Sequence, residues 1–126
     1  MGTRSTTKFY ENYKGEKYFI GGIYCQFDGY LSGHGKALRD YLKGKKIING
    51  ISGQTLREAF NGIDCLGAAV IAHLKNKIGS VYLCTEENKQ AYNYKIWPEG
   101  ESIFIEVECG EIIYSGNIDD MPTSDG

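Results

Sequence analysis

Residues 28 to 38 read DGYLSGHGKAL, which sets three glycines, a histidine, a lysine and an aspartate at the mouth of an expected helix. Gly33 and Gly35 lack side chains that would block a close approach, and the first amides of a helix have no intrahelical partners. That combination predicts a site for phosphate or carboxylate, with Lys36 adding a full positive charge. The spacing is neither G-x-x-x-x-G-K-[ST] nor G-x-G-x-x-G, and a strand-to-helix turn accounts for the same residues. His34 with Asp28 also makes the minimum pair of a base and its orienting carboxylate, with Ser32 or Tyr30 as a partner. The remaining histidine, His73, falls near the C-terminal end of a later helix, where the dipole favours it without any chemistry.

Tyrosine is over-represented, with 10 among 126 residues. Most belong in a core or on a sheet surface, but a tyrosine on a wet sheet face can stack on a nucleobase. Alternation in SVYLCT puts Tyr82 opposite Val81 and Leu83. In AYNYKIW it puts Asn93 and Lys95 opposite Tyr92 and Tyr94. Asn93 is then a candidate for reading a base edge, and Arg57 for a forked contact to phosphate.

The four cysteines, Cys25, Cys65, Cys84 and Cys109, are widely spaced in apolar stretches and form no C-x-x-C pair, so reduced thiols are expected and a structural metal is not. Net charge is −2 but unevenly spread: residues 1–95 hold all 14 basic residues against 8 acidic ones, and residues 96–126 hold 8 acidic residues and no base. A basic body suits a small anionic ligand or contacts between subunits, and the overall balance argues against a binder of long nucleic acid. No apolar run reaches the ~18 residues of a membrane span, and the polar start lacks a signal peptide's pattern.

These residues need positioning. RSTTKFYE and KYFIGGIYCQF read as strands joined through Gly15, with Phe19, Ile23, Cys25 and Phe27 on one face of the second. HGKALRDYLKG reads as a helix with Leu38, Tyr41 and Leu42 on one face, Ser32 as its cap and Gly44 as its stop. Residues 45–62 are irregular, with one helical turn expected around Leu56–Phe60. IDCLGAAVIAHLKNK gives a central buried helix ended by Gly79. From residue 80 the period becomes two, giving strands at SVYLCT, AYNYKIW, SIFIEVEC and EIIYSG. The expectation is one α+β domain over 1–126: an antiparallel sheet of about six strands with two helices packed on one face, and a mobile tail from about 117.

The opening MGTRST and the later QFDGYLSGHGKALRDYL resemble the blocks of a family of small phage and prophage proteins. Those begin Met-Gly-Thr-Arg-Ser and carry Asp-Gly-Tyr-x-Ser-Gly-His-Gly before a helix. The segment NGIDCLGAAVIAHLK is similar too, so the resemblance covers most of the chain, although Leu31 stands where proline is frequent. Among phage proteins of this size the pattern resembles the Thoeris anti-defence sponge family. That resemblance implies binding without catalysis: a cyclic ADP-ribose isomer, made by a bacterial TIR-domain enzyme, is sequestered in the host cytoplasm so that an NADase effector stays off. It also implies a homo-oligomer with pockets where protomers meet, cyclic oligonucleotides as further ligands in some members, and no cofactor.

Under that resemblance Tyr82 and Arg57 fall where an aromatic and a basic contact are expected. Chemistry adds Lys36 and Gly35 for a pyrophosphate, Asn93 or Asp28 for ribose hydroxyls, and His34 beside them. Two other readings stay open: a phosphodiesterase or lyase that uses His34 on a cyclic nucleotide, and an inhibitor that occludes a host enzyme.

Overall fold

The structure, a computed structural model, describes residues 2–48 and 59–124. Strands β1 (Ser5–Tyr13) and β2 (Glu16–Cys25) form a hairpin, followed by a π-helical turn (Leu31–Gly35) that runs into α1 (Lys36–Leu42). Short strands β3 (Lys46–Ile48) and β4 (Ala59–Asn61) lead into α2 (Gly62–Leu74), and β5 (Val81–Leu83) follows. The chain then runs through β6 (Tyr92–Glu99), β7 (Ser102–Cys109) and β8 (Glu111–Asn117) to a 3₁₀ turn (Ile118–Asp120).

Six strands make one sheet in the order β5-β2-β1-β6-β7-β8, and β3 with β4 make a separate parallel pair. An α+β architecture with about six strands and two helices is what the sequence pattern predicts. The sheet is mixed, however, because β1 and β6 run parallel from Ser5↔Tyr92 to Phe9↔Ile96. Parallel neighbours need a long crossover. Here the whole stretch of helices and short strands supplies it, joining the N-terminal hairpin to the C-terminal meander.

One face carries Phe9, Tyr94, Ile96, Ile103, Ile105 and Val107, which pack with Leu38 and Leu42 of α1 and Ile63, Leu66 and Val70 of α2. Gly67 of α2 faces the Phe9 ring so closely that a Cβ there would lie 3.2 Å from it. Glycine within a helix costs about 1 kcal/mol relative to alanine, and here that cost is met by the approach of helix to sheet. Ala68 and Ala72 of the same helix are exposed, and Ala69 is half-buried.

The other face is crossed by the loop 84–91, which joins edge strand β5 to central strand β6. Lys8 Nζ donates to the Glu86 carbonyl (2.6 Å), and Asn93 binds Gln90 through both ends of its amide. Burial beneath this loop lowers the Lys8 pKa.

Several expectations need correcting. A bulge between Phe9 and Tyr10 pairs Phe9 with Gly21 but Tyr10 with Phe19, which shifts the parity of β2. Phe19 therefore meets Tyr10 edge to face (5.8 Å) on the side away from Ile23's helix-covered face. Ser32 stands at neither N-cap position, which Tyr30 holds for the π-helical turn and Gly35 for α1. Ala59 and Phe60 lie in a strand, not in a helical turn. The α2 helix ends at Leu74, five residues before Gly79. The chain beyond Asn117 is docked through residue 121, with Ile118 and Met121 fully buried in the core.

Replacing Gly67 by valine forces two methyl groups and a Cβ against Phe9. Urea unfolding of Gly67→Val should show a loss of about 1–3 kcal/mol with far-UV helicity retained; unchanged stability would mean the contact is not tight.

Candidate functional site

The turn before α1 is built by close approach. Asp28 takes the left-handed conformation (φ 58°), which aspartate tolerates better than most residues, and its carbonyl accepts the His34 amide at 2.7 Å. A Cβ on Gly29 would lie 2.7 Å from the Ser5 Cβ, and one on Gly33 would lie 2.4 Å from the Asp28 carbonyl oxygen. These glycines thus let the turn press on β1 and on itself.

That compaction uses up the donors expected to hold an anion. Gly33 and Gly35 give their amides to the Tyr30 carbonyl, His34 to Asp28, and Lys36 to Gly33 and Leu31. The ring of open amides expected at the glycine turn is therefore not formed. Lys36 pairs with Asp40 (2.7 Å) on the exposed side of α1, away from the cavities described below, and Gly35 is buried against Tyr94.

His34 is only 6% exposed. Its Nε2 lies 2.6 Å from the Thr7 Oγ1, and its ring meets Tyr94 edge-on at 5.0 Å. The Tyr94 hydroxyl in turn donates to the Gly29 carbonyl (2.7 Å), so sheet and turn are tied at two points. Burial pulls the imidazole pKa down to about 4, which keeps the ring neutral at pH 7. The Asp28 carboxylate accepts from the Tyr30 hydroxyl (3.0 Å), and the hydrogen bond between residues 28 and 34 runs through the backbone.

Two cavities flank this seam. One, of about 340 Å³, is walled by Cys25, Phe27, Asp28, His34, Lys77 and Val81 among others. The second, of about 520 Å³, is walled by Thr3, Arg4, Gln26, Phe27, Gln90 and Ala91 with Gly2. Phe27, 54% exposed, belongs to both. The first cavity carries Lys77 together with the Asp28 carboxylate, and the second carries Arg4 with only neutral polar groups beside it. Burial raises the Cys25 thiol to about 11, so it is no thiolate nucleophile at neutral pH.

Tyr82 is 45% exposed, as a stacking platform requires. Its ring lies 6.0 Å from that of Tyr24, the Lys75 ammonium sits 5.6 Å from its centroid, and its hydroxyl approaches Gln26 at 3.5 Å. Through Gln26 it adjoins the Arg4 cavity. Asn93 has a different place. Its Oδ1 accepts from Thr6 Oγ1 (2.7 Å) and the Gln90 amide (3.0 Å), and its Nδ2 donates to the Gln90 carbonyl (2.8 Å). The side chain is buried and holds the loop 84–91, so its amide is not offered to a base. Arg57 lies outside the described residues.

A larger cavity of about 630 Å³ opens at the opposite end of the sheet, where Glu11 and Glu101 are part of its wall. Two carboxylates disfavour an anion there. Among the described residues no three His, Cys, Asp or Glu side chains gather as a metal site, and no helix is long and apolar enough to cross a membrane.

Comparison with known families, with curated proteins and with solved structures finds no match to this chain. The site therefore rests on its own residues. Of those the sequence pattern singled out, His34 and Asp28 meet in one cavity and Tyr82 borders the other. Arg4, Phe27 and Lys77 were missed. Arg4 reads as the start of a strand and Phe27 as part of a buried face, and only the bend after Cys25 brings them together.

Buried His34 makes stability depend on pH. Its folded pKa lies below the unfolded value of about 6.5, so as the pH falls the unfolded chain takes up the proton first. The contribution is intact above about 6.5 and is lost as the pH drops through about 4, a change on the order of 3 kcal/mol. Urea unfolding between pH 7 and pH 4 should show this loss in the parent and a flatter profile in His34→Gln. Equal slopes would contradict the burial of a neutral ring.

Proposed function

We propose that this protein captures a cyclic nucleotide and holds it without cleaving it. The ligand is a cyclic ADP-ribose isomer in the first place, and cyclic oligonucleotides are further candidates. In this reading the protein serves a phage in the cytoplasm of its bacterial host, where it withdraws an immune signal before the signal reaches its effector.

The observation that carries the reading is the pair of cavities sharing Phe27, with Arg4 in one and Lys77 in the other. Both volumes fall within the range typical of small-molecule sites. A ligand with a flat base and a pyrophosphate matches an exposed ring set between two cations. Tyr82 and Gln26 extend the platform, and Asp28 supplies an acceptor for a ribose hydroxyl.

Capture fits the chemistry of the walls better than turnover does. A base or nucleophile needs a free lone pair aimed at the reacting atom. The His34 Nε2 is engaged with Thr7, and burial holds the Cys25 thiol in its neutral form. The resemblance to the anti-defence sponge family, stated above from the MGTRST and DGYLSGHG blocks, points the same way.

Calorimetric titration with a panel of cyclic ADP-ribose isomers tests the reading. Loss of one stacking platform or one charge-assisted contact is worth about 1–3 kcal/mol. Phe27→Ala and Arg4→Ala should therefore each weaken binding by about tenfold or more, with unchanged circular dichroism, while Lys36→Ala binds like the parent. Parent-like binding by both Phe27→Ala and Arg4→Ala would refute the site.

A further inference from the structure

On the face of the sheet away from the helices, Gly22 of β2 lies between two side chains capable of chemistry. Lys8 of β1 is its register partner on one side, and on the other the Cys84 amide donates to its carbonyl (3.0 Å). A Cβ on Gly22 would lie 3.2 Å from the Cys84 Sγ and 3.2 Å from the Lys8 Cγ, so both side chains share the space above the glycine. Lys8 is 2% exposed, and Cys84 is half-buried. An ammonium has three N–H donors. Among the described residues that of Lys8 meets one acceptor, the Glu86 carbonyl (2.6 Å), two residues beyond Cys84. Burial lowers the Lys8 pKa, which favours the neutral, nucleophilic amine. Burial also raises the Cys84 thiol, and Lys8 beside it opposes that rise.

From this arrangement we infer that Cys84 and Lys8 form a site of oxidative modification, where hydrogen peroxide joins the sulfur to the nitrogen in a reversible S–N bond. The Cys84 thiolate attacks one peroxide oxygen and the O–O bond breaks, leaving the sulfenic acid. The hydroxide set free takes a proton from the Lys8 ammonium and departs as water. The neutral amine then attacks the sulfur, the S–O bond breaks, and the second hydroxide removes the amine's proton as water. Sulfur is oxidised, peroxide is reduced, and the two side chains together lose two hydrogens. Two equivalents of a small thiol reverse the step and end as its disulfide. The new bond crosses β2 above Gly22 and staples the end of edge strand β5 to β1, two strands away. Any side chain at position 22 would stand in its path. The inference stands apart from the nucleotide reading, because no ligand takes part in it.

Intact mass and peptide mapping of the full chain, before and after treatment with hydrogen peroxide, test it. Oxidation should yield a linked pair of peptides, one holding Lys8 and the other Cys84, lighter by two hydrogens than their sum. Dithiothreitol should separate the pair and restore both side chains. Hydrogen exchange of residues 81–84 should slow by about tenfold or more in the oxidised protein, because the edge strand no longer opens by itself. Cys84→Ser, which keeps the shape of the side chain, should abolish the linkage with circular dichroism unchanged, and Lys8→Met should abolish it as well. A parent whose Cys84 stays reduced under peroxide overturns the inference. So does a Cys84 that stops at the sulfenic acid or passes on to the sulfinic acid with Lys8 unlinked. A disulfide from Cys84 to another cysteine, or a link to Lys8 that persists in Cys84→Ser, overturns it equally.

Discussion

The docking of the glycine turn on the sheet, through His34 to Thr7 and through Tyr94 to Gly29, is the constraint on which the site depends. Both hydrogen bonds are buried, at 2.6 Å and 2.7 Å, and both cross from one element to another. Removing either partner leaves a polar group without water or protein, at a cost of about 1–3 kcal/mol. The seam fixes where the chain leaves β2, and hence where Phe27 and Asp28 stand. Glycine at 29 and 33 is the condition for reaching it, since any side chain there would collide with β1 or with the turn itself.

The same economy of buried polar contacts governs the opposite face. The loop 84–91 is held by Asn93, Thr6 and Lys8, which point away from the helices and would otherwise need water. Gln90 of that loop also walls the Arg4 cavity, so the latch and the candidate site share a residue. The two halves of the sheet thus divide the work: the helix-covered face supplies the hydrophobic core, and the rim above β1, β2 and β6 supplies the cavities.

Much of this was legible in the sequence because it follows from local period. The strand β7 was readable to the residue, since Ile103, Ile105 and Val107 alternate with Glu106 and Glu108 over an uninterrupted run. Helix α2 was readable from its apolar repeat, though not its end. What failed was non-local. The parallel pairing of β1 with β6 joins residues about ninety positions apart, and no local pattern reports it. The bulge that turns Phe19 toward Tyr10 breaks a parity that alternation assumes. The candidate site was half legible for a related reason: His34 and Asp28 stand out by type, whereas Arg4 and Phe27 gain meaning only from the fold. Asn93 stood out by type as well, and the fold spends it on a loop.

Native mass spectrometry of the protein incubated with a cyclic ADP-ribose isomer separates capture from conversion. Capture gives a complex whose mass exceeds that of the protein by one intact nucleotide per occupied site, with the same cyclic compound released unchanged on denaturation. Release of a linear or hydrolysed product, or a protein that leaves the column without ligand at saturating nucleotide, would contradict it.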